Sequence, residues 1–401
     1  MSLKLRPYQE KAIEQIKSLY MQKIRRVLLH LATGGGKTLV FCTILKKVNL
    51  KGTKAIVVVS GIKLIKQASN RLKKEGVEHG VIQGNNSRGS HHLIQVCSID
   101  TLYRRKFAPE ADFIVIDEAH QTARPAYEWL LSQYATAKIL AVSATPHLKR
   151  GMRHVADAIV YPISVRELIS QGYLAKARYF APHVPDLSKV TTNKGEFDEE
   201  ELSHTMQESA ITGKPEEHYL RIAPGRRAIM FAVNVEHSHA LCARFEAAGV
   251  KTAHMDAKTS DEDREKIQAQ LESGEIQVIS NVGILHTGFD CPVLSCVMLC
   301  RPTKSYNLHI QMIGRGTRTH DESGKQDFIV LDHAGNIERH GFIEDEQPCE
   351  LDGVRRMPAP RPCKRCKVCY AVNVLTARTC EQCNSPFEIA PVERSVNEVE
   401  G

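Results

Sequence analysis

The sequence predicts an α/β protein: two parallel-sheet domains in tandem, followed by a small cysteine-rich module. Three observations predict it. Short β-branched runs alternate with helical spacing from the N-terminus to about residue 145, the alternation restarts near residue 228, and five cysteines crowd between residues 363 and 383. Strands separated by helices pair in parallel, and the helices then cover both faces of the sheet.

Taken in order, Val27–Leu31, Ala55–Val59, Leu93–Cys97, Phe113–Asp117 and Ile139–Val142 are apolar runs of strand length. Thr38–Asn49 and Ile62–Lys74 carry helical spacing between them, with Ile62, Ile65, Ala68 and Leu72 on one face. The second set is Ala228–Val233, Thr252–Met255, Gln277–Ser280, Cys296–Leu299 and Phe328–Leu331, with helices over His237–Ala248 and Ser260–Glu272. These runs place a first domain at 1–160 and a second at 226–340. Residues 161–225 read as a connector with Pro182, Pro185, Pro215 and Pro224. Between Gly195 and Gly213 it has no Lys or Arg but carries Glu196, Asp198, Glu199, Glu200, Glu201 and Glu208. That stretch is either a solvated linker with one acidic helix or an acidic strut that repels a polyanion. Residues 341–361 form a Pro- and charge-rich linker, 362–388 the cysteine module, and 389–401 a tail expected to be disordered.

The bulk composition sets limits. Of 401 residues 42% are hydrophobic and 25% charged, as in soluble globular proteins. The net charge of +8 suits a polyanionic partner without requiring one. Apolar runs such as Ala55–Val59 are far shorter than the ~20 residues of a membrane span. Met1 to Glu10 is charged and lacks an apolar core, so no signal peptide is expected and a cytoplasmic location is. Cys42, Cys97, Cys242, Cys291, Cys296 and Cys300 are scattered through apolar stretches. Scattered thiols plus one tight cluster fit a reducing compartment and a metal site better than a disulfide framework.

Val27–Leu31 runs into Ala32-Thr33-Gly34-Gly35-Gly36-Lys37-Thr38 and then a helix. Strand, glycine-rich loop, Lys-Thr and helix is a phosphate-binding arrangement. Glycines let backbone N–H groups turn inward, and the helix N-terminus adds its positive end. Lys37 is placed to reach the β and γ phosphates of ATP and Thr38 to ligate Mg²⁺. The strict pattern wants a further glycine where Leu31 stands. The apolar strand Phe113–Ile116 then ends in Asp117-Glu118-Ala119-His120. Asp117 at its tip can hold Mg²⁺, and Glu118 can polarise the attacking water.

With these motifs the sequence resembles superfamily 2 helicases of the DEAD/DEAH kind over roughly residues 3–335, which implies that both domains are RecA-like. Leu5-Arg6-Pro7-Tyr8-Gln9 is similar to the adenine-sensing motif, which implies nucleotide contacts for Arg6 and Gln9 alongside Thr33, Gly34, Gly35 and Gly36. Ser143-Ala144-Thr145 is similar to the motif that couples hydrolysis to domain movement, and His120 is implied in the same coupling. Val59–Gln67 and Ser98–Arg105 occupy the places of motifs that grip the nucleic-acid backbone. Thr287-Gly288-Phe289-Asp290 resembles the motif that touches nucleotide and nucleic acid, which implies nucleotide contacts for Gly288 and Asp290. Gln311–Arg318 resembles the arginine-finger motif and implies catalytic roles for Gln311, Arg315 and Arg318. Arg315 and Arg318, three apart, can share one helix face and neutralise charge developing on the γ-phosphate.

A narrower resemblance is to the bacterial RadD-like helicases and their phage relatives. It rests on Val235-Glu236-His237, Thr287–Pro292, Arg301-Pro302-Thr303, Ile310–Arg318 and Leu331–Asn336, with the cysteine cluster behind.

Cys366-x2-Cys369, ten residues, then Cys380-x2-Cys383 is zinc-ribbon spacing. A module this small folds around its metal. Cys363 offers a third thiol at the same spacing; Cys366 and Cys369 are preferred because Tyr370-Ala371-Val372-Asn373 then follows as a ribbon strand, leaving Cys349 and Cys363 free. Arg361, Lys364, Arg365, Lys367 and Arg378 make the module basic, suiting either nucleic-acid contact or a solvated face.

The resemblance implies an ATP-dependent enzyme acting on single-stranded, forked or branched DNA in replication, recombination or repair, with single-strand-binding or recombination proteins as partners and no membrane. An RNA helicase and the motor subunit of a restriction system remain open. A non-catalytic module is disfavoured, because Lys37, Asp117, Glu118 and Arg318 are all present.

Overall fold

A computed structural model describes residues 4–88, 91–146, 150–193, 195–284, 289–345, 350–353 and 359–388. Gly288, Thr287, Cys349 and the 389–401 tail lie outside these residues, so the expectations placed on them are not addressed by it.

The first domain runs α1 (Pro7–Met21), β1 (Arg26–His30), α2 (Lys37–Leu50), β2 (Ala55–Val59), α3 (Ile62–Lys74), β3 (Gly80–Gln83), β4 (Asn86–Arg88), β5 (Ile94–Ser98), α4 (Ile99–Arg105), β6 (Phe113–Ile116), α5 (Pro125–Ser132), β7 (Lys138–Ser143), β8 (Ala158–Val160) and α6 (Val165–Ser170). Its strands lie in the order β4-β3-β5-β2-β6-β7-β1-β8, parallel except for β4. The β1 residues show why such runs are continuous: Val27 and Leu29 pack into one apolar layer and Leu28 into the layer on the opposite face. A strand covered on both sides has no polar face to alternate with.

The second domain opens with β9 (Lys176–Phe180), then β10 (Thr192–Asn193), β11 (Glu196–Phe197), α7 (Glu199–Gly213), α8 (Pro215–Ile222), β12 (Ala228–Phe231), α9 (Val235–Ala247), β13 (Thr252–Met255), α10 (Asp261–Ser273), β14 (Val278–Asn281), β15 (Cys296–Leu299), α11 (Tyr306–Ile313), β16 (Asp327–Asp332) and α12 (Asn336–His340). Its sheet is parallel throughout, in the order β13-β14-β12-β15-β16-β9. β9 therefore crosses from the expected connector to form an edge of this sheet.

The acidic stretch is docked along one face and solvated along the other, where Glu199, Glu200, Glu201 and Glu208 are exposed. Leu202 and Met206 of α7 pack with Val190 and Val233. The Glu196 carboxylate accepts from Thr303 Oγ1 at 2.6 Å and from the Lys304 N–H at 2.7 Å.

The cysteine module is likewise no detached tail. Its strands β17 (Cys363–Arg365) and β18 (Val372–Val374) pair antiparallel. Ala371 bridges Phe180 at the end of β9, and the Ala181 N–H donates to the Tyr370 carbonyl at 3.0 Å. Cys366, Ala371 and Cys380 are buried in the same apolar cluster as Met230, Met298 and Leu331. The module thus covers a sheet edge that would otherwise be exposed. Among the described residues, no helix is long and apolar enough to cross a membrane.

Candidate active site

The turn from β1 to α2 builds the site's floor. Gly34 and Gly36 sit at φ 81 and 82, a region open to glycine without strain. A Cβ on Gly36 would lie 2.3 Å from Gln9 Nε2, so the loop is also packed too tightly for a side chain. Leu31 is fully buried beneath the loop, where a Cβ on Gly35 would meet it at 2.8 Å. An apolar plug under the loop takes the place of the missing glycine. Lys37 opens α2 with its ammonium 3.3 Å from the Leu31 carbonyl, and burial lowers its pKa. Glu118 and Asp117 oppose that shift without offsetting it, so the buried ammonium favours a further anionic partner such as phosphate.

Asp117 and Glu118 follow β6 at the edge of the same cavity. The Asp117 carboxyl is pushed up to about 7, by burial first and by Glu118 second. Two carboxylates drawn together in a half-dry site want a divalent cation. Glu118 adopts φ 51, and its carboxylate lies 3.4 Å from His120 Nδ1. His120 Nδ1 is also 3.2 Å from Ser143 Oγ. Across the cleft, Gln311 Nε2 approaches His120 Nε2 at 3.2 Å and Thr145 Oγ1 at 3.4 Å. Because the amide N–H donates, His120 accepts on Nε2 and carries its proton on Nδ1, facing Ser143 and Glu118. Burial holds this imidazole below its usual pKa and so neutral.

Arg315 and Arg318 complete the opposite wall, but not from a helix face as their spacing suggests. α11 ends at Ile313, and both arginines lie in the turn beyond it. Two glycines explain the turn: a Cβ on Gly316 would fall 2.2 Å from the Phe328 ring, and one on Gly314 would fall 2.9 Å from Thr33 Cβ of the first domain. The arginines are held by the loop before them. Arg315 Nη1 donates to the Phe289 carbonyl at 2.7 Å, and Arg318 pairs with Asp290 at 2.8 Å. Burial first, then Arg318, lowers Arg315 to about 10.

The cavity between the walls is about 540 Å³ and is lined by Arg6, Gln9, Thr33, Gly34, Gly36, Lys37, Thr38, Asp117, Glu118, Asp290, Arg315 and Arg318. Gly35, Gln311, Ser143 and Thr145 stand behind this lining. Gln9 lines the cavity, its Nε2 donating to the Gly35 carbonyl at 3.1 Å and its Oε1 accepting from the Arg6 N–H at 3.0 Å. Both ends of its amide are held by the chain.

Sequence reasoning missed one wall. Leu64, Gln67, Asn70, Arg71 and Lys74 of α3 also face the cavity. Hence Val59–Gln67, expected on the nucleic-acid side, contributes Leu64 and Gln67 to the nucleotide side, and Lys66 pairs with Glu265 of the second domain at 2.7 Å. Arg71 and Lys74, three apart on a helix, were the available signal. In the Ser98–Arg105 segment, Ser98 caps α4 through the Thr101 N–H.

The sulfur atoms of Cys366, Cys369, Cys380 and Cys383 all lie within 4.8 Å of one another, with Cys366–Cys383 at 3.6 Å and Cys369–Cys380 at 3.5 Å. A tetrahedral zinc with Zn–S bonds of ~2.3 Å needs sulfurs ~3.8 Å apart, so the four thiols fit the ion. Cys363 lies on β17 outside this cluster and packs against the second domain's core.

Two family descriptions match the chain: "Type III restriction enzyme, res subunit" over residues 2–148 and "Helicase conserved C-terminal domain" over 215–320. A 51.5 kDa protein of Lactococcus phage (isolate 7-9) is 27% identical over 363 residues, 89% of this chain and 77% of its own length. IRC3 of Saccharomyces cerevisiae, assigned as an ATP-dependent helicase, is 30% identical over 364 residues, 83% of this chain but only 52% of its own length. The fold is shared with a fragment assigned as the HsdR subunit of a type I restriction enzyme from Vibrio vulnificus YJ016, at a TM-score of 0.68 and 20% identity, covering 88% of this chain and 67% of that one. It is shared also with the type ISP restriction-modification enzyme LlaBIII bound to DNA, at a TM-score of 0.63 and 19% identity, covering 83% of this chain and 28% of that one.

Proposed function

Because this chain belongs to helicase superfamily 2, we propose that it is a nucleic-acid-stimulated ATPase that couples hydrolysis to translocation on, or remodelling of, single-stranded, forked or branched DNA. The observation that carries this reading is the shared cavity: Lys37, Asp117 and Glu118 come from the first domain, and Arg315 and Arg318 from the second. Neither half can hydrolyse ATP alone, so turnover is tied to domain closure. Nucleic acid lying across both domains would favour the same closure, and each ligand would tighten the other.

In this assignment Lys37 binds the β and γ phosphates while Thr38 and Asp117 hold Mg²⁺. Mg²⁺ held there would neutralise charge on the phosphates. Glu118 orients the attacking water, and Arg315 and Arg318 stabilise the charge that builds on the γ-phosphate. Gln311, touching His120 and Thr145, reports closure to the water-polarising pair. Zinc is assigned to Cys366, Cys369, Cys380 and Cys383. Four thiolates close the site, which makes it structural.

Support for DNA comes from the net charge of +8 and from the fold shared with a restriction-modification enzyme bound to DNA. The motor of a restriction system is a second reading, favoured by the match over residues 2–148. Steady-state ATPase rates over single-stranded, duplex, forked and branched DNA and over RNA test the proposal. Stimulation by DNA that falls with added salt is expected. Stimulation by RNA alone would replace DNA as the substrate, and a rate indifferent to all of them would end the motor reading.

A further inference from the structure

A second polar cavity, of about 340 Å³, lies where the second domain, α8 and the cysteine module meet. Its walls include His183, Lys214, Glu217, His218, Arg221 and Tyr370. It is separate from the nucleotide cleft. β9 and β16 have their amino ends near the cleft, where the Ala175 N–H donates to Thr317. His183 and His333 follow the opposite, carboxyl ends of β9 and β16, about 16 Å away for a five-residue strand. The carboxyl edge of an open parallel sheet is where such folds place their ligands.

Tyr370 is the central group. It follows Cys369 directly and takes φ 66, a region that a bulky aromatic residue rarely enters. The matching position after Cys383 is Asn384 at φ 58, a residue that tolerates it. The first knuckle therefore carries an aromatic ring at a backbone cost that a glycine would avoid. That ring packs edge-on to His218, with centroids 5.4 Å apart, and the Arg221 guanidinium lies 4.6 Å from its centre. Lys214 is engaged by Glu217 at 2.7 Å, so the cavity's positive charge rests on Arg221. Arg365 at the rim donates to the Ala181 and Pro182 carbonyls.

We propose that this cavity binds one nucleotide of a single-stranded nucleic acid, its base stacked against Tyr370 and its phosphate held by Arg221, so that the cysteine module extends the DNA track of the second domain. A stacking ring beside a cation, on a module packed against the motor's own sheet, is the combination that single strands bind. The inference rests on the motor reading and deepens it.

The test compares Tyr370→Gly, Tyr370→Phe and Arg221→Gln with wild type. Labelled oligo(dT) and oligo(rU) of about 20 nucleotides serve as probes by fluorescence anisotropy, with zinc content, melting temperature and nucleic-acid-free ATPase measured beside them. Tyr370→Gly relieves the backbone but removes the ring's packing on His218 and Arg221, so a merely structural tyrosine predicts a changed melting temperature with oligonucleotide affinity unchanged in the folded, zinc-loaded protein. The proposal predicts oligo(dT) affinity weakened by about tenfold in Tyr370→Gly and Arg221→Gln, with Tyr370→Phe near wild type and zinc and basal ATPase retained. Wild-type oligo(dT) affinity in a zinc-loaded Tyr370→Gly would overturn the cavity assignment alone. A wild-type chain that ignores both probes, in binding and in ATPase, would overturn the motor reading and this inference together. Loss of oligo(rU) binding with oligo(dT) unaffected would move the cavity to RNA and overturn it as stated.

Discussion

Gln311 of the second domain reaches across the cleft to His120 of the first, amide nitrogen to ring Nε2 at 3.2 Å. The same amide reaches Thr145 at 3.4 Å, and His120 lies 3.4 Å from the Glu118 carboxylate. One side chain thus links the second domain, through His120, to the Glu118 carboxylate and to the loop after β7.

Replacing Gln311 by Ala should uncouple the two domains without emptying the nucleotide site. Each lost hydrogen bond contributes about 1 kcal/mol, so DNA-stimulated turnover should fall roughly tenfold while ATP affinity changes little. Steady-state ATPase with and without DNA, beside equilibrium binding of a fluorescent nucleotide, separates the two. An equal loss of binding and turnover would assign Gln311 to the nucleotide itself.

Burial lowers His309 to about 3 and His237 to about 4. Both are neutral in the folded chain, whereas the unfolded chain protonates them near 6.5. The unfolded state therefore binds more protons below that pH, and stability is lost as pH falls from about 6.5 toward 4, by at most ~1.4 kcal/mol per unit per histidine. His309→Gln, which keeps a donor toward the Gly341 carbonyl, should flatten the slope of urea-unfolding stability between pH 6.5 and 5. An unchanged slope would mean that His309 becomes charged in place.

The cysteine module should matter to the stability of the second domain. Cys380→Ser should lose the metal and, because Cys366, Ala371 and Cys380 are buried with Met230 and Leu331, lower that domain's melting temperature by several degrees (~2–4 °C per kcal/mol in a domain of this size). Cys363→Ser should keep one zinc per chain, since its thiol lies outside the cluster. Metal analysis and calorimetry decide it. Zinc lost from Cys363→Ser would reassign the ligands.

The regular strands were legible because buried parallel strands leave unbroken apolar runs, as at Ala55–Val59 and Cys296–Leu299. β9 was not legible, because its Lys176 and Arg178 alternate with Ala177 and Tyr179 and its run reads as a solvated edge. The phosphate loop and the Asp117-Glu118 pair were legible because their chemistry is local. The wall from α3 was not, because the apolar spacing of Ile65, Ala68 and Leu72 sets the buried face but leaves open that Arg71 and Lys74 beside it turn to the nucleotide rather than to nucleic acid. Arg315 and Arg318 reached their expected place by an unexpected route: their three-residue spacing suggested a helix, and Gly314 and Gly316 made it a close-packed turn instead.

The claim that one ATP site is built from two domains is tested most directly by Arg318→Ala, assayed for nucleotide binding and for DNA-stimulated hydrolysis in the same preparation. Arg318 pairs with Asp290 in the second domain and faces Lys37, Asp117 and Glu118 across the cavity. Its charge acts chiefly in the transition state, so nucleotide affinity should stay within a few-fold of wild type while turnover drops by about 10²–10³. Turnover at the wild-type rate, in Arg318→Ala and in Arg315→Ala alike, would contradict the claim, because neither arginine of the second domain would then contribute to hydrolysis.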